Sequence, residues 1–165
     1  MIEVRIASVN ADAASGQPVL LLKPLEHEVE GEDARLLPIW IGQPEASAIM
    51  LGLQGIDLPR PMTHDLLREL IDQLGYVVLR VEVTRLDSGT YFAAIIVRGE
   101  ERMLAIDARP SDAVALAIRV PCGIFVAEDV WEAAAVTVQA VDDAEEEVER
   151  FREFLDHVDP SDFTG

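Results

Sequence analysis

The run YVVLRVEVTRLDSGTYFAAIIVRG, residues 76–99, constrains the fold more than any other stretch of this sequence. Two long segments rich in Val, Ile, Thr and aromatic residues flank an Asp-Ser-Gly tripeptide, the pattern of two strands closing on a tight hairpin turn. Long paired strands need further partners and a covered face, so a β-sheet must lie at the centre of the fold. The rest of the chain supplies both. IEVRIASV alternates from Ile2 to Val9, PVLLLKPL follows a polar turn, LLPIWIG ends at Gly42, RMLAID follows the hairpin, and GIFVA is a last core strand. Most of these segments succeed one another through short turns, which predicts an α+β domain with a mixed, largely antiparallel sheet packed with a few helices.

The helices are set by punctuation and spacing. Pro44 and Glu45 suit the first turn of a helix running to about Gln54, with Gly55 as its stop. Leu66, Leu67, Leu70, Ile71 and Leu74 mark one face of a second helix, closed by Gly75. A third, from Asp112 to about Val120, is apolar nearly all round and is expected to be the most buried. EDVWEAA reads as a short fourth helix, and EHEVEGEDAR as a loop or hairpin tip. Near the C-terminus Val148, Phe151, Phe154, Leu155 and Val158 recur at helical spacing after an acid-rich start, so an amphipathic helix ended by Pro160 is expected. The expected organisation is one domain over 1–138 and an acidic helix and tail over 139–165.

At 165 residues, half of them hydrophobic, the chain can bury one proper core. No apolar run approaches the roughly 18 residues of a membrane span, and the first residues lack the pattern of a secretory signal; a cytoplasmic location with no membrane partner is expected. Cys122 is the single cysteine, which excludes an intrachain disulfide and a cysteine-based metal site within one chain. Its apolar neighbours in VPCGIFV point to a buried structural thiol. The net charge is −18, and both parts of the chain are acidic. A protein that grips nucleic acid by neutralising phosphates normally carries a basic stripe, and none is present. Nucleic acid as a partner would need local arginines, metal ions or an oligomeric surface. Lys23 is the one lysine; all other bases are arginine, which forks onto carboxylate or phosphate better than lysine does. No glycine-rich nucleotide loop and no Gly-x-Ser-x-Gly elbow occurs. Gly42, Gly52 and Gly55 read as helix boundaries, and His27 and His157 as solvated.

Two junctions resemble each other. RPMTHDLL, from Arg60, and ARPSDAVALAIR, from Ala108, each place an Arg-Pro pair ahead of a hydroxyl, an aspartate and a helix. As helix starts they use Thr63 and Ser111 as caps, with Asp65 and Asp112 in first turns where negative charge is favoured. That leaves the arginines and His64 unexplained. Helical geometry puts His64 at the edge of the apolar face, Asp65 on the far side, and Asp112 and Arg119 on one side of the later helix. Two constructions stay open. In one, Glu45, Asp65, Asp107 or Asp112 supplies oxygen ligands to Mg²⁺ or Mn²⁺, His64 is a base or ligand, and Arg60, Arg109 or Arg119 holds phosphate. In the other, arginines and aspartates form a salt-bridge network without chemistry.

With LPIWIGQPEASAI, RPMTHDLL, IDARPSDAVALAIR and PCGIFVAEDVW in this order, the chain resembles the bifunctional nuclease domain family over about residues 2–135. The matching positions are Glu45, Arg60, Thr63, His64, Asp65, Asp107, Arg109, Ser111, Asp112 and Arg119. The resemblance implies an α+β domain, usually oligomeric, with nuclease activity on RNA and DNA. Combined with the acidic charge it implies metal-dependent hydrolysis, with Asp65, Asp107 and Asp112 as candidate ligands, His64 as proton acceptor, and Arg60 and Arg109 as phosphate clamps. A homo-oligomer, a dimer first, is expected, and a protein partner through the C-terminal helix. The competing expectation is a non-catalytic oligomeric scaffold.

Overall fold

A computed structural model describes residues 1–12, 15–25, 34–56 and 58–138. In chain order they form β1 (Ile2–Ala11), β2 (Pro18–Pro24), β3 (Ala34–Trp40), α1 (Gln43–Leu53), α2 (Thr63–Gln73), β4 (Val77–Asp87), β5 (Thr90–Arg98), β6 (Met103–Ala108), α3 (Pro110–Ala117), β7 (Gly123–Val126), α4 (Glu128–Ala134) and β8 (Val136–Val138). The chain divides into two units, Met1–Glu28 with Arg35–Val136, and Val29–Ala34 with Thr137–Gly165. Of the second, only Ala34, Thr137 and Val138 are described. Of the loop expected at 26–35, residues 26–33 lie outside the described residues, whereas Ala34 and Arg35 already belong to β3; the acidic helix expected within 139–165 also lies outside them.

In the first unit the strand order is β6-β5-β4-β7-β1-β2-β3. Every pairing in it is antiparallel except β4 with β7, because α3 lies on the crossover that brings the chain from β6 back to β7. The sheet is mixed and largely antiparallel, as expected. Its hairpin β4–β5 turns on Ser88 and Gly89, both at positive φ (50° and 80°), the pair of conformations that lets a two-residue turn follow the natural twist of the strands. The sheet curls: the Tyr91 hydroxyl on β5 donates to the Pro38 carbonyl on β3 at 3.1 Å, although four strands lie between β5 and β3 in the hydrogen-bonded order.

Helix α3 is the centrepiece of the core. All its residues except Asp112 are buried, against β4, β5 and β7 on one side and under α1 and α2 on the other. Val114 and Leu116 share one buried core with Val81, Val83, Ile95 and Val97 of the central strands, and each fully buried Val or Leu contributes about 1.5–3 kcal/mol. The chain leaves the helix at Ala117, earlier than the expected Val120.

Helix α2 sits differently from its sequence pattern. Leu67 and Ile71 pack on the core, while Leu66, Leu70 and Leu74 are 57%, 53% and 66% exposed. His64, expected at the edge of the face, is the buried residue of this helix. The apolar stripe is wider than the contact, and the polar bonds of His64 to Asp112 in α3 and of Asp65 to Arg119 just beyond it set which part of it turns inward.

A candidate active site where three helices begin

Helices α2 and α3 start by the same local device. The residue before each is extended, Met62 at φ −79°, ψ 175° and Arg109 at φ −73°, ψ 146°, and each has an aspartate at its third helical position. There a carboxylate can fold back over the exposed amides of the first turn. Asp65 does so, accepting from the Met62 amide at 3.0 Å. Asp112 instead turns sideways onto Arg109, which donates from Nε at 2.7 Å and from Nη2 at 3.1 Å.

The expected caps differ from those observed. Thr63 is the first residue inside α2 and exposed, and Ser111 is the second residue inside α3 and buried; Met62 and Arg109 occupy the cap positions. Proline sits at the start of α3 and presets its entry, so no hydroxyl is needed there, and the capping contact at α2 comes from Asp65. The same offset separates the two arginines. Arg109 is itself the cap residue, next to its aspartate, whereas Arg60 lies two residues before the cap, exposed and outside the cleft. Asp65 finds its cation elsewhere, on Arg119, whose Nε donates to it at 2.6 Å.

These contacts draw the two junctions together. His64 Nε2 lies 3.2 Å from Asp112 Oδ1, and Arg109 Nη1 reaches Glu45 Oε1 on α1 at 2.9 Å. Arg119 donates Nη1 to the Ala115 carbonyl at 2.7 Å and Nη2 to the Ala48 carbonyl at 3.0 Å. One guanidinium thus joins α1, α2 and α3, with only 8% of its side chain exposed. Two glycines make room. A Cβ on Gly52 would lie 2.5 Å from Ile118 Cδ1 and 2.7 Å from Arg119 Nη1, and one on Gly42 would collide with the Glu45 carboxylate. Gly52 is therefore a packing position inside α1, not a boundary; nothing in its local sequence names the arginine that needs it.

Beside this network opens a cleft of about 420 Å³, lined by Glu45, Ala48, Leu51, Met62, Thr63, His64, Arg109, Asp112 and Arg119 among others. Glu45, His64, Arg109, Asp112 and Arg119 are all brought to it; Asp65 stands behind Arg119; Asp107 is exposed on β6, opposite Ala94, and outside it. Partial burial pushes the Asp112 carboxyl up, but the bonds and charges of Arg109 and His64 outweigh it and hold the group below the ordinary carboxylate value. Asp65 follows the same logic: desolvation raises it, and Arg119 with the Met62 amide lowers it further. The partners of Arg109, Asp112 first and then Glu45, hold its guanidinium protonated well above its ordinary value. Cys122, expected to be buried, is partly buried and lies outside this lining; that burial raises its thiol, which suits a structural role.

With Asp112 ionised, His64 donates from Nε2 and keeps Nδ1 as its acceptor nitrogen. No fully buried side-chain nitrogen or oxygen among the described residues lacks a partner; Nδ1, bonded to no described group, therefore retains contact with solvent. The arrangement is a histidine oriented by a carboxylate, which is oriented in turn by an exposed arginine. As a divalent-ion site it fits less well. Among the described residues no three His, Cys, Asp or Glu side chains group as ligands, and both oxygens of Asp65 and of Asp112 already accept hydrogen bonds.

Residues 26–139 match the family described as the bifunctional nuclease domain. An uncharacterized protein of Mycobacterium tuberculosis (strain ATCC 25618 / H37Rv) is 44% identical over 168 residues, spanning 98% of this chain and 97% of its own. Bifunctional nuclease 1 of Arabidopsis thaliana is 30% identical over 105 residues, 62% of this chain and 31% of that protein. Bifunctional nuclease 1 of Oryza sativa subsp. japonica is 29% identical over 93 residues, 54% and 28% respectively. The match thus spans about a third or less of each plant protein.

Proposed function

Because the chain belongs to the bifunctional nuclease domain family, we propose that it is a nuclease that hydrolyses phosphodiester bonds of RNA, DNA or both, with the cleft at the starts of α1, α2 and α3 as its reaction centre. The observation that carries this reading is the line Arg109–Asp112–His64 facing an open cleft. His64 Nδ1 takes a proton from water as the water oxygen bonds to phosphorus; the bridging P–O bond breaks, the departing alkoxide takes a proton from solvent water, and His64 gives its own back to solvent. Asp112 holds the ring and stabilises its charged form, and Arg109 meets the charge that gathers on the non-bridging oxygens. Arg119 is a positioning residue, since all three of its nitrogens are spent on protein acceptors. Arg60 and Asp107 have no part in this scheme. None of these steps runs through the Mg²⁺ or Mn²⁺ expected from the acidic residues, and cleavage in chelator tests that directly.

The test is cleavage of single- and double-stranded RNA and DNA by protein free of contaminating nuclease, with Mg²⁺, with Mn²⁺ and with chelator. Cleavage of at least one substrate is expected. Intact substrates in every condition would sink the reading.

One observation favours a second reading, a non-catalytic oligomeric scaffold: the exposed row Leu66, Leu70 and Leu74 on α2. Contiguous exposed apolar surface marks interaction sites, and a second copy packed there would make a dimer. In that reading Leu70→Glu abolishes function and yields a monomer, while His64→Ala changes nothing. Among the described residues no helix is long and apolar enough to cross a membrane.

A further inference from the structure

We propose that the cleft takes its phosphodiester as a short or unpaired strand gripped through a single phosphate, which reaches Arg109 by displacing Glu45. This deepens the nuclease reading and rests on it for the identity of the site, though not for the manner of binding.

The cations decide the number of phosphates. Two arginines line the cleft. Arg119 is buried and fully engaged, so no anion takes it without dismantling the junction of three helices. Arg109 is different: 64% of its side chain is exposed. Two of its nitrogens are fixed on Asp112, and one, Nη1, is closed only by Glu45. Glu45 reaches it by folding back across Gly42, where no side chain stands in the way. The Glu45 carboxylate therefore occupies the place a phosphate needs. A phosphate arriving there exchanges one anion for another while the Asp112 pair keeps the guanidinium aimed.

The surroundings oppose a longer grip. The chain carries 31 acids against 13 lysines and arginines, so each further phosphate is repelled rather than neutralised. Among the described residues the cleft holds no Phe, Tyr or Trp, and its one ring, His64, is tied to Asp112; its apolar wall is Pro44, Ala48, Leu51 and Met62. Proteins that track long single strands stack successive bases on aromatic platforms; here a long strand gains little over a dinucleotide. A space of about 420 Å³ is at the small end of ligand clefts, and a duplex is too broad to enter it. A duplex held by one phosphate keeps its bases stacked away from that wall, and one phosphate contact gives little in return.

The experiment is a chemical-shift titration of the whole chain, without divalent ions and with chelator, using a dinucleoside monophosphate, a longer single strand and the same strand in a duplex. Binding is read independently of cleavage. The dinucleotide and the single strand should bind comparably per phosphate, and the duplex roughly tenfold more weakly or worse. Between about 50 and 200 mM salt the log–log slope should be near −0.7, the value for one phosphate of a single strand. Glu45→Gln should tighten dinucleotide binding by about two- to fivefold, as expected for removing one competing ion pair. Equal or tighter duplex binding, a slope of several phosphates, no dinucleotide binding, binding that appears only with added Mn²⁺, or weaker binding by Glu45→Gln would overturn the proposal. The slope and the duplex comparison use unaltered protein, so they stand even if the variant folds poorly. The expected binding pattern without cleavage of any substrate would retire the nuclease reading and leave this one in place.

Discussion

Arg119→Met is the perturbation whose consequence the structure specifies most fully. Methionine keeps most of the apolar stem and deletes the guanidinium. It leaves Asp65 without its cation and the carbonyls of Ala48 and Ala115 without the donors at 3.0 and 2.7 Å. Removing one partner of a buried ion pair costs about 3–5 kcal/mol. Asp65 is 30% exposed and keeps its bond to the Met62 amide, so water recovers part of that, and about 2–4 kcal/mol is expected. In urea, with a slope of about 1–3 kcal/mol per molar, the midpoint should fall by roughly 1–2 M. The double variant Arg119→Met/Asp65→Asn no longer strands a carboxylate, and should recover about 1–2 kcal/mol of the loss relative to the sum of the single changes. A midpoint for Arg119→Met unchanged from the parent, or strictly additive variants, would refute the assignment of Arg119 as the joint between α1, α2 and α3.

Three further outcomes are expected. Gly52→Ala should destabilise by about 1–3 kcal/mol in the same urea assay, against the gain of about 1 kcal/mol that alanine brings to an ordinary helix interior, because its Cβ meets Ile118 and Arg119. Asp65 and Asp112 both titrate below their ordinary values. The stability they contribute is complete above the unfolded carboxyl value, about pH 4, and is lost as pH falls through their lower folded values; Asp65→Asn and Asp112→Asn should each flatten the acid limb of thermal stability, and an unchanged limb would contradict this. Ser88→Asn should stabilise the fold by about 0.5 kcal/mol and so raise the thermal midpoint slightly, since asparagine tolerates the positive φ that Ser88 adopts better than serine does; a lower midpoint would count against it.

The parts of this fold that were legible in the sequence are those written locally. The Asp-Ser-Gly turn, the stops at Gly55 and Gly75, and the all-apolar third helix each depend on residues within a few positions, and the structure has them where the pattern puts them. The two Arg-Pro junctions were legible as helix starts carrying unexplained charge. Their meeting was not, because His64 and Asp112 are 48 residues apart in the chain, with β4, β5 and β6 between them. Helical angles put Asp65 on the far side of α2, yet that side faces Arg119, a residue that lies beyond the end of α3. Arg60 and Asp107 looked equivalent to Arg109 and Asp112 by proximity. The offset of Arg60 from its helix start and the alternation of β6 send them elsewhere. Gly42 and Gly52 carried no local signal of their role, since what they accommodate is a side chain in one case and a neighbouring segment in the other.

In the proposed reaction His64 and Asp112 act as one catalytic unit in the cleft. This is tested most directly by single-turnover cleavage with the parent chain, His64→Ala, Asp112→Asn and the double variant, each first shown to be folded, in Mn²⁺ and in chelator. A unit predicts that each single change lowers the rate by roughly 10²–10⁴-fold and that the double change costs little more than either alone. Rates unchanged in His64→Ala, or losses that multiply in the double variant, would contradict it.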